Sequence, residues 1–152
     1  MMMFHRLSAS VLGIGYMGKG GGTIAALFCC ATWWLLRDPL EQHSVQLIVV
    51  GVLITWGIWS AGAVEKEWGH DSPKVVIDEL AGMGISLLWL PIKPGYLFGA
   101  FILFRVFDIW KPLFIKKMEE FPRGWGVMMD DLLAGLYANF IMQWIVAANF
   151  FY

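Results

Sequence analysis

From Val45 to Val64 the chain runs twenty residues without a charged side chain, and no other stretch narrows the fold as much. A helix of that length crosses the hydrocarbon core of a bilayer, and helix is the form in which one segment satisfies its own backbone away from water. Apolar side chains make up 59% of the 152 residues, more than a soluble domain of this size buries. The 16% aromatic content, with nine tryptophans, suits interfacial belts. The expectation is an all-α integral membrane protein, one domain over residues 1–152, built as a bundle of about five transmembrane helices.

The segments follow in order. Gly18-Lys19-Gly20-Gly21-Gly22-Thr23 interrupts the first hydrophobic region, because consecutive glycines are poor helix formers, and Thr23 is a candidate cap for Ile24 to Leu36. That run is short for a span. Val45–Val64 is the second span, Val75–Leu90, ended by Pro91, the third, and Tyr96–Ile109 the fourth. The fifth runs from Val127 to Tyr152 with Asp130 and Asp131 in its first turn. With a cytoplasmic N-terminus, five spans put Arg6, Lys19, Lys66, Lys74, Lys111, Lys116, Lys117 and Arg123 on the inner side and only Arg37 and Lys93 on the outer, as positive-inside asymmetry requires. His5 and Arg6 precede no small-residue cleavage site, so no removable leader is expected. Cys29 and Cys30 are adjacent in an apolar run and read as packing residues. A net charge of -1 and the lack of a basic run exclude a nucleic-acid partner, whereas membrane lipids and a homo-oligomer are both compatible.

This topology brings Asp78 and Glu79, Asp108, and Asp130 and Asp131 to one cytoplasmic depth, with the Lys19 loop on the same side. Five carboxylates left together repel, and desolvating them is costly, so protons or cations must sit among them. Oxygen-only ligands suit a hard ion such as Mg2+. The plainer explanation for each pair is an acidic first turn that complements a helix dipole. Arg105, Asp108 and Lys111 fall at steps of three on one helical stripe, where Arg105 either pairs with Asp108 or offers its fork to phosphate oxygens while Asp108 takes metal. Lys111-Pro112 alternatively marks only a helix end. Lys19 among its glycines lacks the Gly-Lys-Ser/Thr tail of a Walker loop but offers an amide nest for phosphate. His70 is a solvated loop histidine or a general acid. Gly82, Gly84, Ala134, Gly135 and Ala138 read as sites of close helix approach.

Three stretches in order, Asp78-Glu79-Leu80-Ala81-Gly82-Met83, Phe104-Arg105-Val106-Phe107-Asp108-Ile109-Trp110-Lys111-Pro112, and Gly124 through Asp130-Asp131 to Gly135, resemble the phosphatidylglycerophosphatase A family of bacterial membrane enzymes. The resemblance covers roughly residues 75 to 140. It implies a magnesium-dependent phosphatase that converts phosphatidylglycerol phosphate to phosphatidylglycerol in the inner (cytoplasmic) membrane, with its site facing the cytoplasm. Asp78, Glu79, Asp108, Asp130 and Asp131 match the family's catalytic and metal-binding acids, and Arg105 and Lys111 its basic residues. Lys19 is a third phosphate-binding candidate. Phe114 replaces the family's second proline after Lys111-Pro112, and Gly18–Thr23 replaces its Pro-Gly-Thr-x-Gly-Ser pattern. Two rivals remain: a sister phosphatase for another lipid phosphomonoester, such as a phosphoinositol lipid, and a small cation transporter, which would favour midplane sites and internal repeats.

Overall fold

A computed structural model describes residues 1–148, so the end of the expected fifth span, residues 149–152, lies outside the described residues. Within them the chain is all-helical without a strand. Eight α-helices follow in order, α1 (Met2–Ala9), α2 (Gly21–Leu35), α3 (Arg37–Leu40), α4 (His43–Trp68), α5 (Ile77–Ser86), α6 (Pro94–Trp110), α7 (Ile115–Met118) and α8 (Gly124–Ala147), with a single 3-10 turn at Ile14–Met17 after α1. By length and composition α4 is the one described helix able to cross a membrane. Its outward side chains stay exposed, Ile48 at 65%, and Phe98 on α6 and Trp144 on α8 match it at 67% each. Such exposed apolar side chains are compatible with a lipid environment.

The core forms around α5, eight of whose ten residues are buried. Glycines make this packing close. A Cβ on Gly82 would lie 2.5 Å from the Asp131 carbonyl oxygen, and one on Gly135 would lie 2.3 Å from the Gly82 carbonyl oxygen, so α5 and α8 meet backbone to backbone. Ala134 and Ala138 continue the small-residue seam fully buried. Gly84 differs, because its nearest neighbour is the Val50 side chain at 3.3 Å.

Three expected elements need correction. The third span stops at Ser86 instead of Leu90, leaving a ten-residue helix about 15 Å long, half a bilayer core. The chain beyond it is held by amides from two other helices. Asn139 Nδ2 donates to the Ser86 and Leu88 carbonyls at 3.1 and 2.8 Å, Gln143 Nε2 to the Leu88 carbonyl at 3.0 Å, and the Trp89 N–H donates to Gln46 Oε1 at 2.7 Å. Interior backbone may leave the helical ladder only where such partners exist. Asn139→Leu is accordingly expected to lower unfolding stability in detergent by about 1–3 kcal/mol, the cost of losing the donor to the buried Ser86 carbonyl while Gln143 still serves Leu88, read as a shift of the denaturation midpoint.

The glycine run is the second correction. Gly21 and Gly22 form the first turn of α2, and Gly20, not Thr23, sits at its N-cap. A first turn demands few intrahelical bonds, so glycine costs least there. Third, α8 begins at Gly124, which moves Asp130 and Asp131 out of its first turn. The dipole explanation for that pair weakens accordingly, because the effect fades within one turn. Cys29 is buried and Cys30 half-buried, and both are free thiols.

Candidate active site

Asp78 and Glu79 occupy the first turn of α5, one turn before Gly82. The close approach at Gly82 brings the α8 backbone at Asp131 against that turn. Asp78, Glu79 and Asp131 thereby converge, each offering a carboxylate oxygen, with all three oxygens within 4.8 Å of one another. Asp78 and Asp131 are buried and Glu79 half-buried. Asp78 Oδ1 and Glu79 Oε2 are buried without a hydrogen-bond partner. The donor set is oxygen-only, and orphaned oxygens at this cost want a cation, so the residues fit a hard divalent ion.

The other two carboxylates border this triad, each tied to a base. Asp108 acts electrostatically on Glu79 and Asp131, and Asp130 on Asp78 and Asp131. Arg105 Nη1 donates to Asp108 Oδ2 within α6, the i, i+3 pairing foreseen as the plain alternative. That bond leaves Arg105 Nε buried without an acceptor. A guanidinium with one edge fixed and another free is suited to receive an oxyanion.

Lys111 departs from the expected stripe. It caps α6 in the left-handed region (φ 47°, ψ 54°), which turns it off the helix face. Its Nζ donates to Asp130 Oδ2 at 2.7 Å and also to Glu119 Oε1. Partial burial opposes its charge, but these two carboxylates outweigh that and raise its pKa above the ordinary lysine value. Asp130 Oδ1 remains buried without a partner.

Lys19 is exposed in the turn before α2, and no ion pair holds it among the described residues. The glycines beside it reach the acids through backbone instead: a Cβ on Gly22 would lie 2.1 Å from Glu79 Oε1. His70 is engaged outside the triad. Its Nδ1 meets Glu65 Oε1 at 2.6 Å and its Nε2 the Glu119 carbonyl at 3.4 Å, and the Glu65 hydrogen bond raises its pKa. Glu119 and Gly22 were not singled out in the sequence. Glu119 lies in an ordinary polar connection with no signal of its own, whereas Gly22 stands in the glycine run.

Comparisons with known proteins identify the family. The family model described as Phosphatidylglycerophosphatase A matches residues 7–146. A Bacteroides thetaiotaomicron protein with the provisional name phosphatidylinositol-3-phosphatase is 40% identical over 136 residues, 85% of this chain and 84% of its own. Phosphatidylglycerophosphatase A of Escherichia coli is 31% identical over 128 residues, 82% of this chain and 73% of its own. Phosphatidylglycerophosphatase A of Haemophilus influenzae is 40% identical over 102 residues, 65% of this chain and 63% of its own. No solved structure matches. The chain thus belongs to the phosphatidylglycerophosphatase A family and is a lipid phosphatase, a phosphoric monoester hydrolase.

Proposed function

We propose that this protein is a magnesium-dependent phosphatase that hydrolyses phosphatidylglycerol phosphate to phosphatidylglycerol and phosphate at the cytoplasmic face of a bacterial inner membrane. The observation that carries this reading is the convergence of Asp78, Glu79 and Asp131 with two orphaned buried oxygens among them. These three residues would hold the ion. When bound, magnesium neutralises phosphate charge and makes water more acidic.

The chain's own residues do the rest. Arg105, fixed by Asp108, presents its unpartnered Nε to an equatorial phosphate oxygen. Lys111 supplies a second positive charge. Asp130, with Oδ2 on Lys111 and Oδ1 free, is the carboxylate we assign to proton transfer from the attacking water. The water oxygen bonds to phosphorus as its proton passes to Asp130, the ester bond from phosphorus to the lipid oxygen breaks, and that oxygen takes the proton back from Asp130. Five passes with the N-terminus inside, the third made by the short α5 and the non-helical chain beyond it, would account for the basic asymmetry, eight residues against two, and for the exposed apolar side chains. Acyl chains then remain in lipid while the headgroup reaches the acids.

A second reading, a phosphoinositide phosphatase, is favoured by the Bacteroides relative. The test is phosphate release in mixed micelles from phosphatidylglycerol phosphate and from phosphatidylinositol 3-phosphate, with magnesium or with chelator. Release from the glycerol lipid that stops on chelation is expected. Release indifferent to chelation removes the metal, and release confined to the inositol lipid changes the substrate. Within the same assay, Arg105→Lys is expected to lose about tenfold in turnover despite retaining charge, because the two-edged fork is gone. Equal activity would take Arg105 away from phosphate.

A further inference from the structure

A cavity of about 530 Å3 opens beside the acidic site, lined by His70, Asp71, Leu113, Lys116, Lys117 and Glu119 among others. Two links join it to the site. Glu119 shares the Lys111 ammonium with Asp130, and Asp71 acts electrostatically on Asp130. The cavity is thus joined to the acids through Glu119 and Lys111.

Its charges are not all spent. The Glu119 carboxylate is engaged by Lys111, and His70 is engaged by Glu65. Lys116 has no ion pair among the described residues, and Lys117 meets only the Phe114 ring, 5.5 Å from its centroid. Asp71 is exposed, with no hydrogen bond among the described residues. Two cations beside two carboxylates, Asp71 and Glu120, none of them in an ion pair among the described residues, suit a group carrying both an anion and hydroxyls: the cations take phosphate oxygens, and the carboxylates accept from O–H. Leu113 in its wall is 78% exposed and the nearby Phe114 58%, an arrangement suited to seating apolar side chains among acyl chains and the ammonium groups at headgroup level.

We infer that Lys116 and Lys117 form a subsite for the internal phosphodiester of the substrate, with Asp71 facing the polyol between diester and terminal phosphate. The inference rests on the lipid-phosphatase reading above. It defines the substrate class as lipids in which a polyol separates a phosphodiester from a phosphomonoester, and it disfavours phosphatidic acid, which has no diester.

The test compares KM and kcat for phosphatidylglycerol phosphate and phosphatidic acid in neutral-detergent micelles, for the full chain and for Lys116→Gln/Lys117→Gln. The variant is expected to lose about tenfold in kcat/KM for the diester lipid through KM, and little for phosphatidic acid, since two exposed charge-assisted contacts are removed. Soluble glycerophosphoglycerol should compete against the unaltered chain and not against the variant, while inorganic phosphate competes equally against both. Lys116→Arg/Lys117→Arg should restore the preference. Equal losses on both lipids mean attraction to anionic surfaces alone and overturn the subsite, as does an unchanged ratio. Failure of the unaltered chain to release phosphate from any lipid would instead overturn the reading beneath it.

Discussion

Asp131→Asn is expected to cut magnesium-dependent phosphate release by about a thousandfold while the protein stays folded, a loss on the scale of removing one preorganised electrostatic group. Asp131 is 3% exposed and acts on Asp108, Asp78, Glu79 and Asp130. Removing its charge relieves repulsion, so in chelator the variant should melt no lower than the unaltered chain. Adding magnesium separates the two proteins. A cation at a hundred times its dissociation constant stabilises a protein that binds it only when folded by about 2.7 kcal/mol. The unaltered chain should show that rise and the variant should not. A variant that keeps either the turnover or the magnesium-induced rise would remove Asp131 from the ion's ligands.

The sequence made the acidic constellation legible for a physical reason. Carboxylates in otherwise oily segments are rare because burial penalises them, so Asp78, Glu79, Asp130 and Asp131 stood out against their neighbours, and topology brought their segments to one level. The α5–α8 seam was legible through Gly82 and Gly135, since small residues at helical spacing signal close approach. The early end of α5 was not. The chain beyond it is held by Gln46, Asn139 and Gln143, single amides within long apolar runs that read as tolerable polarity until the backbone N–H and carbonyls they satisfy are seen. The reach of Lys111 to Asp130 was hidden as well, because a left-handed cap redirects a side chain and periodicity assumes the helix continues. Glu119 was out of reach altogether: its pairing with Lys111 depends on how the α7 connection folds back, and no local pattern encodes it.

Gly22→Ala separates the chemistry from the fold, and its expected effect is a fall in magnesium affinity and turnover of about a hundredfold, at the upper end for displaced support around a ligand. The new Cβ would lie 2.1 Å from Glu79 Oε1 and 2.8 Å from its Cδ. The atoms in conflict end a flexible side chain, so Glu79 can swing aside and leave α2 in place. The helix itself gains slightly, because alanine loses less backbone freedom than glycine, by less in this first turn than the about 0.5–1 kcal/mol of a mid-helix site. Melting in chelator should therefore stay level or rise while magnesium-dependent protection falls, a combination general destabilisation cannot produce. Gly51→Ala is the control: it stands in α4 with nothing within 4 Å of its would-be Cβ, and it should leave the magnesium response unchanged. If Gly22→Ala matches that control in magnesium-dependent protection and phosphate release, Glu79 is not held against the glycine turn in the working enzyme. The ion's ligands from this cluster would then reduce to Asp78 and Asp131.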